Sequence, residues 1–235
     1  MSAVSNGRAF HYHLMGYWMT MELNREEPSA GRWRVERIAD VVNAFAERAR
    51  TGAGRPLVLA IDGRSSSGKT TLAGRVANTV SATAVVHTDA IAWSHSRFGW
   101  ADLALRVLEL VHAGAAVSFR PPKWDERGRA GAIVVPGGTQ LLVLEGVGSS
   151  REELAHLLDA RLWVQSDRIA TDRRNDSRVA AGGTTRAGVE GWMAEELPFI
   201  AARRPWEHAD LIVAGTPTLP HDPRTEIAVA DGPLR

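Results

Sequence analysis

The sequence predicts an α/β fold, a three-layer sandwich with a mostly parallel central sheet and helices on both faces. Three observations predict it. Short apolar runs rich in strand formers alternate with stretches of helical spacing, the pattern of parallel strands joined by crossover helices. A glycine-rich segment, Gly63 to Thr71, falls between one such run and one such helix. The 235 residues, 44% of them hydrophobic, suffice for the core of one α/β domain.

The elements follow in order along the chain. Residues 1–31 mix His11, His13, Met15, Trp18, Met19 and Met21 with no clean period and end in the breaker cluster Pro28-Ser29-Ala30-Gly31, so they read as a partly ordered N-terminal extension. His11 and His13 have no carboxylate or third ligand nearby, and a metal is not expected there. Over 33–50, Val35, Ile38, Ala39, Val42, Phe45, Ala46 and Ala49 recur at three and four, predicting an amphipathic helix that Thr51-Gly52-Ala53-Gly54 ends. Residues 56–61 are an apolar strand, and 71–77 have helical spacing. Residues 82–87 read as a second buried strand, finishing at Thr88-Asp89. A helix over 100–113 places Leu103, Val107, Leu110 and Val111 on one face and stops at Gly114.

Residues 115–119 form a short strand leading into the stiff, charged loop 120–127, and 133–135 an edge strand. Residues 140–146 predict a central strand ending on Glu145. Another strand covers 161–164, followed by a basic helical segment over 167–178, a break at Gly182-Gly183 and a helix over 189–203. Residues 209–214 are the last strand, and 217–235 read as a tail. The domain is therefore placed at 32–216, with a small helical lid at about 167–187.

Composition narrows the class of function. The 28 basic and 27 acidic residues leave a formal charge of +1, which favours neither nucleic acid nor a membrane surface as partner. Without cysteine there is no disulfide, thiolate metal site or cysteine nucleophile, which fits a cytoplasmic enzyme. No apolar run reaches bilayer-spanning length, and the N-terminus lacks a secretory pattern.

Gly63-Arg64-Ser65-Ser66-Ser67-Gly68-Lys69-Thr70 fits G-x-x-x-x-G-K-[ST], the Walker A or P-loop pattern, in the strand–loop–helix setting the pattern requires. Its glycines and small serines let backbone N–H groups curl around a phosphate chain at the positive end of a helix. Gly63, Ser65, Ser66, Ser67, Gly68, Lys69, Thr70 and Thr71 are thus the expected ATP-binding set, with Lys69 reaching the β and γ phosphates and the Thr70 hydroxyl serving Mg²⁺. Asp89 ends an apolar strand, where its carboxylate would project over the loop to accept a proton from an attacking hydroxyl or hold a Mg²⁺-bound water; the alternative role is a helix N-cap. Glu145 stands where a Walker B acid binds Mg²⁺, the alternative being a solvated strand end. Among Arg168, Arg173, Arg174 and Arg178, the last two are spaced to share a helix face, and Arg174 is the candidate phosphate clamp. Asp172 and Asp176 offer the plainer reading of a neutralised, solvated face.

Taken together these segments resemble the P-loop nucleoside kinases of the uridine kinase type, relatives of phosphoribulokinase and pantothenate kinase, from about 56 to 216. The resemblance rests on Gly63 to Thr71, the strand-end Asp89, Pro121-Pro122-Lys123-Trp124-Asp125, Leu144-Glu145-Gly146, the arginine-bearing lid and Ala209-Asp210-Leu211-Ile212-Val213. It implies a P-loop NTPase fold; Asp89 as the base, aided by Lys69 and Arg174; Thr70, Glu145 and Asp89 around Mg²⁺; and Trp93 and Trp124 against the substrate. Gly215-Thr216 would lie near adenine. Two departures stand out. The acidic residue that grips ribose hydroxyls in the family is replaced by Gly99 or moved to Asp102, and the lid's Arg-Asp pair reads Asn175-Asp176, with Arg173 and Arg174 displaced; Arg178 is a further expected substrate contact.

The expectation is Mg²⁺-assisted transfer of the ATP γ-phosphate to a hydroxyl of a small molecule, foremost a uridine- or cytidine-like nucleoside. The alternatives are a kinase of another hydroxylated metabolite, pantothenate-like or specialised, and a nucleotide-binding regulator without turnover. Homo-oligomerisation is left open.

Overall fold

In a computed structural model that describes residues 20–49 and 54–234, the chain runs β1 (Arg34–Arg37), α1 (Ile38–Ala49), β2 (Leu57–Gly63), α2 (Lys69–Thr79), β3 (Thr83–His87), α3 (Thr88–Ala92), α4 (Ala101–His112), β4 (Val117–Phe119), α5 (Pro122–Glu126), β5 (Ile133–Val135), β6 (Leu141–Glu145), β7 (Ala160–Gln165), α6 (Arg168–Ala180), α7 (Arg186–Arg203), β8 (Leu211–Ala214) and β9 (Glu226–Asp231). All seven positions of β2 and all five of β6 are buried, as strands covered on both faces must be. They lie at the centre of a seven-stranded sheet of order β1-β9-β8-β7-β2-β6-β3. From β8 to β3 every pairing is parallel, while β9 runs antiparallel to both β8 and β1. The carboxyl ends of β2, β3, β6, β7 and β8 therefore meet at one edge, where ligands of open α/β sheets bind.

Strand alternation sends side chains to two layers. Leu59, Ile61, Val143, Leu162 and Val213 pack under α1 and α2, which contribute Ile38, Val42, Phe45, Leu72 and Val76. On the opposite face Val58, Leu142 and Leu144 meet Ala104, Val107, Leu108 and Val111 of α4. Further along that face Trp33, Trp163 and Trp206 close over Ile212, Ala228 and Ala230. No helix among the described residues is long and apolar enough to cross a membrane.

The structure corrects four boundaries. Residues 217–235 are not a tail, because β9 inserts between β8 and β1, with Ile227 and Val229 in one layer and Ala228 and Ala230 in the other. The helix expected over 33–50 begins at Ile38, since 34–37 are a strand whose hydrogen-bond partner, β9, lies at the other end of the chain. The domain does not start at 32. Glu27 is buried and accepts from Trp163 Nε1 at 2.7 Å, and Ala30 N–H donates to Gln165 Oε1 at 3.0 Å. Residues 133–135 pair with 117–119 in a separate two-stranded ribbon rather than edging the main sheet. The histidine pair at 11 and 13 and most of the turn at 51–54 lie outside the described residues.

Candidate active site

At the carboxyl edge of the sheet a cavity of about 880 Å³ opens between the loop after β2, the start of α3, the end of β6, helices α6 and α7, and the loop after β8. The loop after β2 is shaped by close approach. A Cβ on Gly63 would lie 2.8 Å from Ser67 Oγ and 2.9 Å from the Val164 carbonyl, Ser66 adopts φ 60°, and Gly68, at φ 102°, turns the chain into α2. A Cβ on Gly215 would overlap both Ser166 Oγ and the Ser67 carbonyl, so the loop after β8 rests directly on the phosphate loop. The first N–H groups of α2 have no acceptor within the helix, and the residues that carry them, Lys69, Thr70 and Thr71, line the cavity.

Ser65, Ser66, Gly68, Lys69, Thr70 and Thr71 line the cavity. Gly63 and Ser67 do not; they build the turn from beneath, Ser67 receiving Ser166 Oγ on its carbonyl at 2.7 Å. Lys69 Nζ donates to the Arg64 carbonyl at 2.7 Å, and Thr70 Oγ1 donates to Glu145 Oε1 at 3.1 Å. The other Glu145 oxygen faces His87 Nδ1 at 2.6 Å. That hydrogen bond, working against partial burial, holds His87 above the usual imidazole range. Thr70 and Glu145 thus present adjacent hard oxygens, the number and kind that Mg²⁺ takes from a protein when phosphates complete its shell. The donor set fits that ion.

Asp89 lies in the first turn of α3 and lines the cavity. His87 occupies the N-cap position, and among the described residues no hydrogen bond or ion pair engages the exposed Asp89 carboxylate, whose charge acts on the neighbouring His87. Arg174 on α6 spans the site, with Nη1 on the Ser66 carbonyl at 2.9 Å and Nη2 on the Gly215 carbonyl at 3.1 Å. Beside it Asn175 accepts from Ser66 Oγ at 2.6 Å, so the lid segment touches the phosphate loop directly. Arg178 and Trp93 also line the cavity.

Two expected substrate contacts fall elsewhere. Trp124 is 4% exposed, gives its indole N–H to the Ala90 carbonyl at 3.0 Å, and has the Arg129 guanidinium 3.9 Å from its ring centroid, so it is core beneath α3 and presents no face to the cavity. Asp102 is exposed on the first turn of α4, outside the cavity, as is Gly99. Neither supplies a grip for ribose hydroxyls. Conversely, Val189, Trp192 and Met193 of α7 form a wall that the sequence reading assigned to no role, although their spacing of three and four marks one helix face.

No family model matches the sequence, and no curated protein matches it. Solved structures do. A candidate fructose transport system kinase from Silicibacter sp. TM1040 is similar over 74% of this chain and 95% of its own, with a TM-score of 0.50 and 17% identity. A candidate uridine kinase from Bacillus stearothermophilus is similar over 74% of this chain and 98% of its own, with a TM-score of 0.41 and 16% identity. Strand order, phosphate loop and the first of these likenesses agree: the chain has the fold of the P-loop kinases.

Proposed function

We propose that the chain is an ATP-dependent phosphotransferase that moves the γ-phosphate to a hydroxyl of a small molecule. The observation that carries this reading is the convergence of Lys69, Thr70, Glu145, Arg174 and an unpartnered Asp89 on one cavity. In this reading the phosphate loop and Lys69 hold the phosphate chain, Arg174 steadies it from the lid, and Thr70 and Glu145 hold Mg²⁺, which would neutralise phosphate charge. Asp89 accepts the proton of the acceptor hydroxyl as it attacks, and the cavity aligns the two reactants.

A uridine- or cytidine-like nucleoside is the first acceptor to test, with Trp93 as its stacking surface. A second reading, phosphorylation of another hydroxylated metabolite, is favoured by the displacement of Trp124 and Asp102 from the cavity. The decisive assay is Mg²⁺-dependent ADP release across uridine, cytidine, fructose, pantothenate and hydroxylated antibiotics, with a no-acceptor control and product mass. One acceptor should stimulate ADP release and gain the mass of one phosphate. ATP binding without turnover on any acceptor would instead support the regulator.

A further inference from the structure

Glu196 on α7 is fully buried, a costly place for a carboxylate unless each oxygen is engaged. One oxygen, Oε1, accepts the backbone N–H of Ser65 at 3.0 Å and lies 4.0 Å from Nε of the buried Arg64. The other, Oε2, accepts the indole N–H of Trp192, one helical turn earlier, whose ring lines the cavity and meets Phe98 in a tilted contact, centroids 5.7 Å apart. The Ser65 N–H belongs to the same peptide plane as the Arg64 carbonyl, and that carbonyl holds Lys69 Nζ at 2.7 Å and Ser67 N–H at 3.1 Å. A planar peptide cannot turn its N–H without turning its carbonyl. A negative charge on the N–H also polarises the carbonyl toward the lysine.

We infer that Glu196 is a positioning residue: by fixing the Arg64–Ser65 peptide it sets the resting place of Lys69, and through Trp192 it links the α7 wall of the cavity to the phosphate loop. The inference rests on the phosphotransferase reading for the role of Lys69, but its geometry is that of the free protein. A molecule pressing on Trp192 acts on Glu196, and the first atoms to respond are those holding the lysine.

The test uses Trp192→Phe, which keeps an aromatic ring, though a smaller one, and deletes the donor, and Glu196→Gln, which keeps the shape and deletes the charge. Amide exchange of the 63–68 segment is measured in the free protein, beside melting temperature and calorimetric Mg·ATP affinity. Trp192→Phe should lower the melting temperature somewhat, because it leaves Glu196 Oε2 without its donor, and should raise exchange in 63–68 severalfold beyond any rise in the core strands β2 and β6. It should also weaken Mg·ATP binding about threefold to tenfold, and Glu196→Gln more strongly. Exchange in 63–68 identical to the parent in both variants overturns the inference, and if Glu196→Gln fails to fold, Trp192→Phe decides alone. A parent protein that binds no Mg·ATP would sink the phosphotransferase reading, while the exchange arm still judges the link.

Discussion

Single side chains here are legible when their chemistry is local to a motif. Lys69 and Thr70 open the helix after β2, Asp89 lies in the first turn of the helix after β3, and Glu145 ends β6, so the parallel sheet delivers all four to one edge. Replacing Asp89 by Asn keeps the size of the side chain but exchanges an accepting carboxylate oxygen for a donating NH₂ and removes the proton acceptor. Turnover should fall by roughly 10²–10⁴ with Mg·ATP affinity intact, measured by steady-state kinetics and calorimetry. Retained transfer would remove Asp89 as the base. Trp124 and Asp102 show the limit of such reading: Trp124 is buried by docking under α3, whose Ala90 carbonyl takes its indole N–H from 34 residues away, and Asp102 falls on the exposed side of α4 once that helix packs on the sheet. Asp159 is one of the carboxylates that contribute to acid behaviour. Burial alone would raise its pKa, but the Arg55 fork at 2.7 and 2.8 Å and the Val58 N–H hold it below the usual aspartate range. A depressed folded pKa means stability that is present above the unfolded value, about 3.9, and lost as pH falls through the folded one. Asp159→Asn should cost about 2 kcal/mol at neutral pH and flatten the stability curve below about pH 4, measured by denaturant titration.

At the scale of elements, periodicity located the longer helices and the buried strands, whereas the segment expected as a loop over 120–127 holds the short helix α5 and α3 was not foreseen; close contacts between glycines and neighbouring loops set how the elements meet. Gly146, just after β6, has φ 142°, and a Cβ there would overlap Thr88 Oγ1 and lie 2.8 Å from Thr88 Cβ. Thr88 begins α3 one residue before Asp89, so this approach sets how near Glu145 and Asp89 can come. Gly146→Ala should therefore destabilise by about 2–4 kcal/mol and slow turnover together. Adding Thr88→Ala should recover part of both, because it removes the oxygen in collision. Stability loss without recovery in the double variant would place the strain elsewhere. Helix α7 shows what pattern alone conveys: its extent is readable, and even Pro198 does not break it, but its wall-forming face is visible only once α6 and the phosphate loop are beside it.

For the whole molecule the decisive feature is the extension of the sheet beyond β8 by β9 and β1, two strands from distant parts of the sequence. β9 lies between β8 and β1 and contributes Ile227 to Ala230 to two core layers, so the end of the chain is structural. Deleting 217–235 should abolish cooperative unfolding and leave β8 as a bare edge, readable by circular dichroism and solubility, whereas a dispensable tail would leave the melting curve intact. By itself the sequence determined the α/β class, the phosphate loop and the strand-end carboxylates, because each depends on neighbours a few residues away and on the fixed direction of parallel strands. Only the tertiary structure decided that β1 is a strand, that β9 belongs to the sheet, that Trp124 is core, and that Glu196 holds the peptide beneath Lys69. The physical reason is the same in each case: the partner lies tens to hundreds of residues away, and no local pattern carries the hydrogen bond or the packed surface that fixes the outcome.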